Sequence, residues 1–150
     1  MIRRIGEPIR PDVTYRLRPG AYAILWNRDA LLTTFQSSPE PEFQLPGGGV
    51  DPGEPTIRSL HREVLEETGW TISRPIRLGA FRRFVYMPEY DLWAEKLCHV
   101  FLARPALRRH QPLEEDHMAV WMHPEQALDV LGNDGDRQFL ANWWRGVSRG

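Results

Sequence analysis

Hydrophobic and polar positions are arranged in two patterns along the chain, one typical of strands and one typical of helices. Short apolar runs predict strands over residues 20–27, 30–36, 71–87 (as one strand or two), 94–105 and 118–123. Helical spacing runs from Pro55 to a stop at Gly69, and two further helices are predicted to begin at Pro124 and Arg137. The Gly- and Pro-rich residues 44–55 predict an irregular loop. This order predicts an α/β chain with a mixed sheet and helices on its faces.

The predicted helix after Pro55 carries a buried stripe and an acidic arc side by side. At about 100° per residue, the buried stripe consists of Ile57, Leu60, Val64 and Thr68. The neighbouring arc holds Glu63, Glu66 and Glu67. Because like charges one turn apart destabilise a helix, these glutamates are either a solvated face or the ligands of a cation. Hard divalent cations prefer carboxylate and carbonyl oxygens, so the second interpretation is a Mg²⁺ or Mn²⁺ site for phosphate chemistry.

Composition and charge narrow the class of protein. The 150 residues are 41% hydrophobic and 26% charged, which is typical of globular chains and predicts a single domain over residues 1–150. A net charge of −1 gives no general attraction to nucleic acid or to an anionic membrane. No run reaches the ~18 apolar residues of a membrane span. We therefore expect a soluble cytoplasmic protein that binds neither nucleic acid nor a membrane. The sequence is compatible with a homodimer.

The spacing of Gly, Glu and Arg around the helix resembles the signature of the Nudix hydrolases. That signature reads Gly, five residues, Glu, seven residues, Arg-Glu, an aliphatic residue, any residue, Glu-Glu, any residue, Gly and an aliphatic residue. The matching positions in this chain are Gly48, Glu54, Arg62, Glu63, Glu66, Glu67 and Gly69. Trp70 stands where an aliphatic residue is usual, and we expect it to pack. The resemblance implies an α/β/α sandwich around a mixed sheet, with the family's loop-helix-loop motif.

The resemblance also implies an activity. Nudix hydrolases use Mg²⁺ or Mn²⁺ to hydrolyse a nucleoside diphosphate linked to another moiety, so a small nucleotide is the expected substrate. A (deoxy)nucleoside triphosphate or a modified nucleotide is the leading expectation. The alternatives are a dinucleoside polyphosphate or nucleotide sugar as substrate, or a non-catalytic nucleotide-binding domain.

Each matched position has an implied role. The expected metal ligands are the backbone carbonyl of Gly48 and the side chains of Glu63, Glu66 and Glu67. Arg62 is expected to orient one of the glutamates through a charge-assisted hydrogen bond, since its guanidinium presents a planar fork. The implied roles of two further residues, Glu54 and Gly69, are structural.

Two functional positions stay open at this point. The general base is either Glu63 or Glu66, or an acid of the later loop. That loop offers Glu114, Glu115 and Asp116, and Glu115 lies six residues before Trp121, a spacing that resembles the nucleoside-triphosphate branch. Tyr86 is a candidate substrate-binding residue, because an aromatic ring can stack on a base, although it also fits a plain strand. Four histidines have no metal-ligand spacing relative to one another and receive no role: His99, His110, His117 and His123.

Overall fold

The computed structural model describes residues 1–149, which form one mixed β-sheet with three helices. The strands are β1 Arg3–Arg4, β2 Arg16–Trp26, β3 Leu31–Gln36, β4 Glu42–Gln44, β5 Gly47–Gly49, β6 Trp70–Met87, β7 Leu92–Arg108 and β8 His117–Met122. The helices are α1 Thr56–Thr68, α2 Pro124–Val130 and α3 Asp134–Arg149. The predicted α/β class is therefore confirmed, and the segment after Trp70 is one long strand.

The sheet has the order β1-β6-β7-β2-β3-β4, with β5 added to β2 and β8 added to β3. The strands β2 and β7 run parallel, whereas β6 and β7 form a long antiparallel hairpin. The predicted hairpin of β2 and β3 is present, with Leu25 opposite Leu32. The two long strands β7 and β2 therefore lie at the centre of the sheet.

The two faces of the sheet carry separate apolar clusters. Alternate residues of β2 point to opposite faces, so Ala23 and Leu25 pack beneath α1 while Ile24 packs beneath α2 and α3. On the α1 side the helix contributes Leu60 and Val64. Helices therefore cover both faces, as expected for an α/β/α sandwich.

Ile57, which was predicted to belong to the buried stripe of α1, is exposed to solvent. Ile57 is 43% exposed, whereas Ser59 is fully buried in the same turn of α1. The Ser59 hydroxyl donates a hydrogen bond to the carbonyl of Gly49 over 3.2 Å, which binds this turn to β5. A polar contact with the preceding loop thus decides which side of the first turn is buried.

The Gly-rich segment before α1 also differs from the prediction, because three of its residues form the strand β5. A Cβ on Gly47 would lie 2.0 Å from the carbonyl oxygen of Ala21, so a glycine is needed for this close pairing with β2. The composition of the segment indicated irregular structure, but the missing side chains allow a strand to approach its partner closely.

Gly69 ends α1 in the left-handed conformation, with φ of 79°, as the predicted stop requires. A Cβ there would lie 1.7 Å from the carbonyl oxygen of His110. The Gly69 carbonyl in turn accepts a hydrogen bond from the Arg109 amide over 2.7 Å. The end of α1 is thereby fixed against the loop that leads to β8. Within residues 1–149, no helix combines the length and apolar character needed to cross a membrane.

Candidate functional site

A cavity of about 550 Å³ opens between α1, the central strands and the start of α3. Its wall includes the backbone of β5 and side chains of both charges. The acidic members are Glu42, Asp51, Glu63, Glu67, Glu89, Glu114, Asp116 and Asp136. The basic members are Arg18, Arg83 and Lys96. A cavity that presents carboxylates and cations together suits a ligand that carries both metal and phosphate.

Arg62 connects the loop before α1 to the acidic arc of the helix. Its Nε and Nη2 atoms donate to the two oxygens of Glu54 over 3.0 and 2.9 Å, and Nη1 donates to Glu63 over 2.9 Å. Nη2 also reaches the Gly49 carbonyl at 3.1 Å. The bond from Arg62 is the main reason that the pKa of Glu54 falls to about 2. Arg62 therefore holds Glu63 in one orientation while Glu54 anchors Arg62 itself.

Glu67 is the most deeply buried of the three helical glutamates, with 6% of its surface exposed. The Gly47 amide donates to its Oε1 atom over 3.1 Å. Burial raises the pKa of Glu67 well above its ordinary value, and the nearby carboxylates of Glu114 and Glu63 raise it further. The Gly47 hydrogen bond opposes this rise only in part, so an ionised Glu67 would gain from a bound cation.

Gly48 lies in β5 directly against Glu63. A Cβ at this position would lie 2.3 Å from the Glu63 Oε2 atom and 2.4 Å from its carboxyl carbon. The glycine therefore leaves the space that this carboxylate occupies. Its place in the signature has a steric reason that is independent of any role of its carbonyl oxygen.

The loop before β8 brings Glu114 to the glutamates of α1. The amide of the preceding residue, Leu113, donates to the Glu66 carbonyl over 2.8 Å and so attaches the loop to the helix. Glu115, the predicted candidate base in this loop, is exposed, and its carboxylate does not join the glutamates of α1 in a possible metal-binding group. The spacing to Trp121 singled out Glu115, whereas the carboxylate that the structure places beside the glutamates of α1 is that of its neighbour Glu114. A catalytic role for Glu115 stays a prediction.

Among residues 1–149, two groups of side chains could hold a metal ion, and Glu114 belongs to both. In each group the candidate ligand atoms lie within 4.8 Å of one another. The groups are Glu63, Glu66 and Glu114, and Glu67, Glu114 and His117. Carboxylate oxygens predominate in both, which fits a hard divalent cation. Nothing in the sequence singled out His117, because it lies 50 residues after Glu67 and only three after Glu114, directly after a loop whose approach to α1 depends on the fold.

Tyr86 lies apart from this acidic cluster. Its hydroxyl is hydrogen-bonded to Asp91, its ring packs 5.2 Å from the ring of Trp93, and 42% of its surface is exposed. It lines a neighbouring cavity of about 700 Å³, which shares the side chains of Arg83 and Lys96 with the first. A role for Tyr86 in binding substrate stays a prediction, and it would concern this second cavity.

Asp136 is a buried acid that sequence reasoning did not single out. It lies in the first turn of α3, is 4% exposed, and accepts a hydrogen bond from the Leu45 amide over 3.3 Å. Burial raises its pKa to about 6, against the opposing effects of the Leu45 amide, Arg83 and Lys96. The Asn133 side chain caps this turn by accepting from the Asp136 amide over 3.2 Å, so the helix begins before the predicted Arg137.

Cys98 also borders the cavity but is buried. Its burial raises the pKa of the thiol to about 12. The thiol therefore stays protonated and unreactive near neutral pH.

Solved structures of known proteins share this fold. A NUDIX hydrolase from Nitrosomonas europaea superposes with a TM-score of 0.72 at 18% identity, over 87% of this chain and 90% of that one. A MutT NUDIX hydrolase from Burkholderia pseudomallei superposes with a TM-score of 0.65 at 24% identity, over 84% of this chain and 97% of that one. At these identities the likeness shows the fold alone.

Curated relatives match over shorter stretches. A Bacillus subtilis protein described as "Putative 8-oxo-dGTP diphosphatase" is 34% identical over 74 residues, which is 49% of this chain and 50% of the relative. An RNA pyrophosphohydrolase from Cereibacter sphaeroides is 41% identical over 59 residues, which is 38% of this chain and 36% of the relative. The chain thus spans half or less of the length of these relatives.

The sequence model of the NUDIX domain matches residues 16–143. These residues extend from the start of β2 into α3 and include every position of the signature around α1. Because the match covers far more than half of the sequence, the chain belongs to the NUDIX domain family.

Proposed function

We propose that this chain hydrolyses a pyrophosphate bond in a nucleoside diphosphate linked to another moiety, with Mg²⁺ or Mn²⁺ as cofactor. The substrate we favour is a (deoxy)nucleoside triphosphate or a modified nucleotide, acted on by a single Nudix domain over residues 1–150. The observation that carries the proposal is the shared cavity, in which clustered carboxylates face the same space as Arg83 and Lys96.

The donor set of the cavity supports the choice of metal. Glu63, Glu66, Glu67 and Glu114 would hold a divalent cation, and the carbonyl of Gly48 is a further candidate ligand. When bound, such a cation neutralises phosphate charge and makes a water molecule more acidic. Arg62 would keep Glu63 in a fixed orientation through its 2.9 Å hydrogen bond.

The reaction needs a water molecule and a base. Water attacks one phosphorus, the bond from that phosphorus to the bridging oxygen breaks, and a carboxylate accepts the proton of the water. For a nucleoside triphosphate the products are a nucleoside monophosphate and pyrophosphate. Glu63, Glu66 and Glu114 are the candidate bases within the cluster, and Glu115 stays a candidate from sequence.

Size, charge and relatives together support a nucleotide substrate. A cavity of about 550 Å³ is within the range of sites for small molecules. The descriptions of the two curated relatives name a diphosphatase and a pyrophosphohydrolase, which act on the same class of bond. Since the net charge of −1 gives no general attraction to nucleic acid, we favour a free nucleotide over RNA.

A dinucleoside polyphosphate or nucleotide sugar is the second candidate substrate. The neighbouring cavity, with Tyr86 and Trp93 in its wall, adjoins the first through Arg83 and Lys96. A second aromatic or sugar moiety could therefore occupy it while the phosphates lie beside the cations.

A product assay tests the proposal. The protein is incubated with Mg²⁺ and, separately, Mn²⁺, and with nucleoside triphosphates, 8-oxo-dGTP, dinucleoside polyphosphates, nucleotide sugars and 5′-triphosphate RNA. Products are then identified by anion-exchange chromatography and mass spectrometry. We expect a nucleoside monophosphate and pyrophosphate from the preferred triphosphate, whereas two nucleotides or a sugar phosphate would identify the second candidate.

Matched variants connect any activity to this cavity. Glu63→Gln should lower kcat by about 10²-fold or more, because it removes a charged oxygen beside Arg62. Glu125→Gln changes an exposed acid on α2 and is the control. Comparison of Glu114→Gln with Glu115→Gln shows which neighbour the reaction uses. Full activity of Glu63→Gln, or no metal-dependent turnover of any substrate by the folded protein, would contradict the proposal.

A further inference from the structure

His117 is held at the edge of the acidic cluster by the sheet. It is the first residue of β8, and 6% of its side chain is exposed. Its Nε2 atom lies 3.2 Å from Oε2 of Glu114 and 3.7 Å from Oε2 of Glu67. The imidazole therefore presents one nitrogen to two carboxylates, in the space where the proposed function requires a cation.

The opposite nitrogen of the ring is fixed by a buried hydroxyl. Nδ1 of His117 lies 2.9 Å from Oγ1 of Thr34, and Thr34 is fully buried on the neighbouring strand β3. In one tautomer the Thr34 hydroxyl donates to Nδ1 and Nε2–H donates to Glu114 over 3.2 Å, and a bound cation would replace that proton. In the other tautomer Nδ1 donates to the hydroxyl, and Nε2 carries a lone pair directed towards Glu114 and Glu67. A lone pair facing two carboxylates is repulsive unless a cation lies between them. Histidines that bind metals are commonly fixed through the other ring nitrogen in this way.

We propose that His117 is a metal ligand, binding through Nε2 the same divalent cation as Glu67 and Glu114. This inference rests on the proposed function only in requiring that a divalent cation binds in the cavity. The three ligand atoms lie within 4.8 Å of one another, so one ion can contact all three after small side-chain movements. They come from α1, the loop before β8 and β8 itself. The hydrogen bond from Leu113 to Glu66 joins the loop to α1, and β8 pairs with β3.

A nitrogen ligand changes which metal the site prefers. Imidazole is a ligand of transition metals, among which Mn²⁺ binds nitrogen most weakly, whereas Mg²⁺ favours oxygen ligands and keeps much of its hydration. The His117 site should therefore bind Mn²⁺ more tightly than Mg²⁺. The cluster of Glu63, Glu66 and Glu114 offers oxygen alone and should show no comparable preference.

The test is pulsed electron paramagnetic resonance of the full chain loaded with one equivalent of Mn²⁺. A directly bound imidazole produces ¹⁴N modulation of the Mn²⁺ echo, and this modulation should be present in the wild type and absent in His117→Gln. His61→Gln, which alters an exposed histidine of α1, should keep the modulation. Should His117→Gln fail to fold, labelling the wild type with [¹⁵N]histidine replaces the ¹⁴N pattern without any mutation.

Calorimetric titration supplies a second readout. His117→Gln should weaken Mn²⁺ binding by about tenfold or more, and Mg²⁺ binding by much less. If Mn²⁺ binds but shows no ¹⁴N modulation, or if affinity for Mn²⁺ is unchanged in His117→Gln, His117 is not a ligand and the proposed function still stands. If the wild type binds neither Mn²⁺ nor Mg²⁺, this inference and the proposed metal dependence both fail.

Discussion

Glu67 and Asp136 are two buried carboxylates that border the same cavity and hold the same short segment of chain. They are 6% and 4% exposed, respectively. The Gly47 amide donates to Glu67 and the Leu45 amide donates to Asp136, so the two acids fix opposite ends of residues 45–47. Burial raises the pKa of both. Similar burial and similar hydrogen bonds thus occur at both ends of the segment.

The neighbours of the two acids distinguish them. Two carboxylates, Glu63 and Glu114, raise the pKa of Glu67 further, and one cation, Lys96, opposes them. At Asp136 two cations, Arg83 and Lys96, lower the pKa, and one carboxylate, Glu42, opposes them. The Asp136 end has protein cations nearby, while the Glu67 end accumulates negative charge that an external cation would neutralise. Burial of a carboxylate therefore does not by itself indicate a metal site. A buried carboxylate among other carboxylates is the better indication of one.

The largest expected effect comes from disturbing the Glu67 end without removing any carboxylate. Gly48→Ala would place a Cβ 2.3 Å from Oε2 of Glu63, so that carboxylate must leave its position beside Arg62. We expect kcat/KM to fall by about 10²-fold, since displacements near 1 Å at a reacting site can have effects of this size. The measurement is steady-state hydrolysis of the preferred nucleotide in Mg²⁺.

Gly49→Ala is the matched control for this variant. A Cβ at Gly49 meets no heavy atom within 4 Å, so the substitution adds the same methyl group to the same strand without the collision. Equal activity of the two variants would show that the position of Glu63 matters little, and would weaken the assigned role of the cluster.

The same comparison shows how far the sequence leads. Glu67 could be predicted as a candidate metal ligand from residues close to it in the sequence. Helical spacing places the three glutamates of α1 on one arc, and the Nudix signature implies their roles. The α/β class could be predicted because apolar runs and helical stretches alternate in order. Both predictions depend on residues that are neighbours along the chain.

Asp136 and His117 could not be predicted in the same way, and the sequence could not place Glu114, rather than its neighbour Glu115, beside the glutamates of α1. Their positions depend on pairings between distant segments, such as Thr34 of β3 beside His117 of β8, separated by 83 residues. The strand β5 was missed because its glycines lack side chains that would signal a strand. For Asp136, the cap residue Asn133 three positions earlier was a usable local sign of a helix start.

Asp136→Asn tests the second acid through stability. The folded pKa of about 6 lies above the ordinary value of 3.8, so ionised Asp136 destabilises the fold, and this cost grows as pH rises from about 4 to above 6. Asparagine keeps an oxygen for the Leu45 amide but carries no charge. We expect the free energy of unfolding to rise by about 3 kcal/mol at pH 8 and to change little at pH 4.

Urea unfolding of wild type and Asp136→Asn at both pH values measures this difference. A variant that is no more stable than wild type at pH 8 would mean that Arg83 and Lys96 fully compensate the burial of Asp136. The charge around Asp136 would then differ from the charge around Glu67 even more than we infer.

The smallest expected effect is the response of stability to metal. A ligand at ten times its Kd stabilises a folded protein by about 1.4 kcal/mol, which raises the Tm of a chain of this size by roughly 3–5 °C. We expect Mg²⁺ to produce this shift in the wild type and in Asp136→Asn.

Glu67→Gln should have a higher Tm without metal, because a buried charge is removed while Oε1 can still accept from Gly47. Its shift with Mg²⁺ should be close to zero. An undiminished shift in Glu67→Gln, measured by differential scanning fluorimetry over a Mg²⁺ titration, would place the cation away from Glu67 and remove the contrast between the two acids.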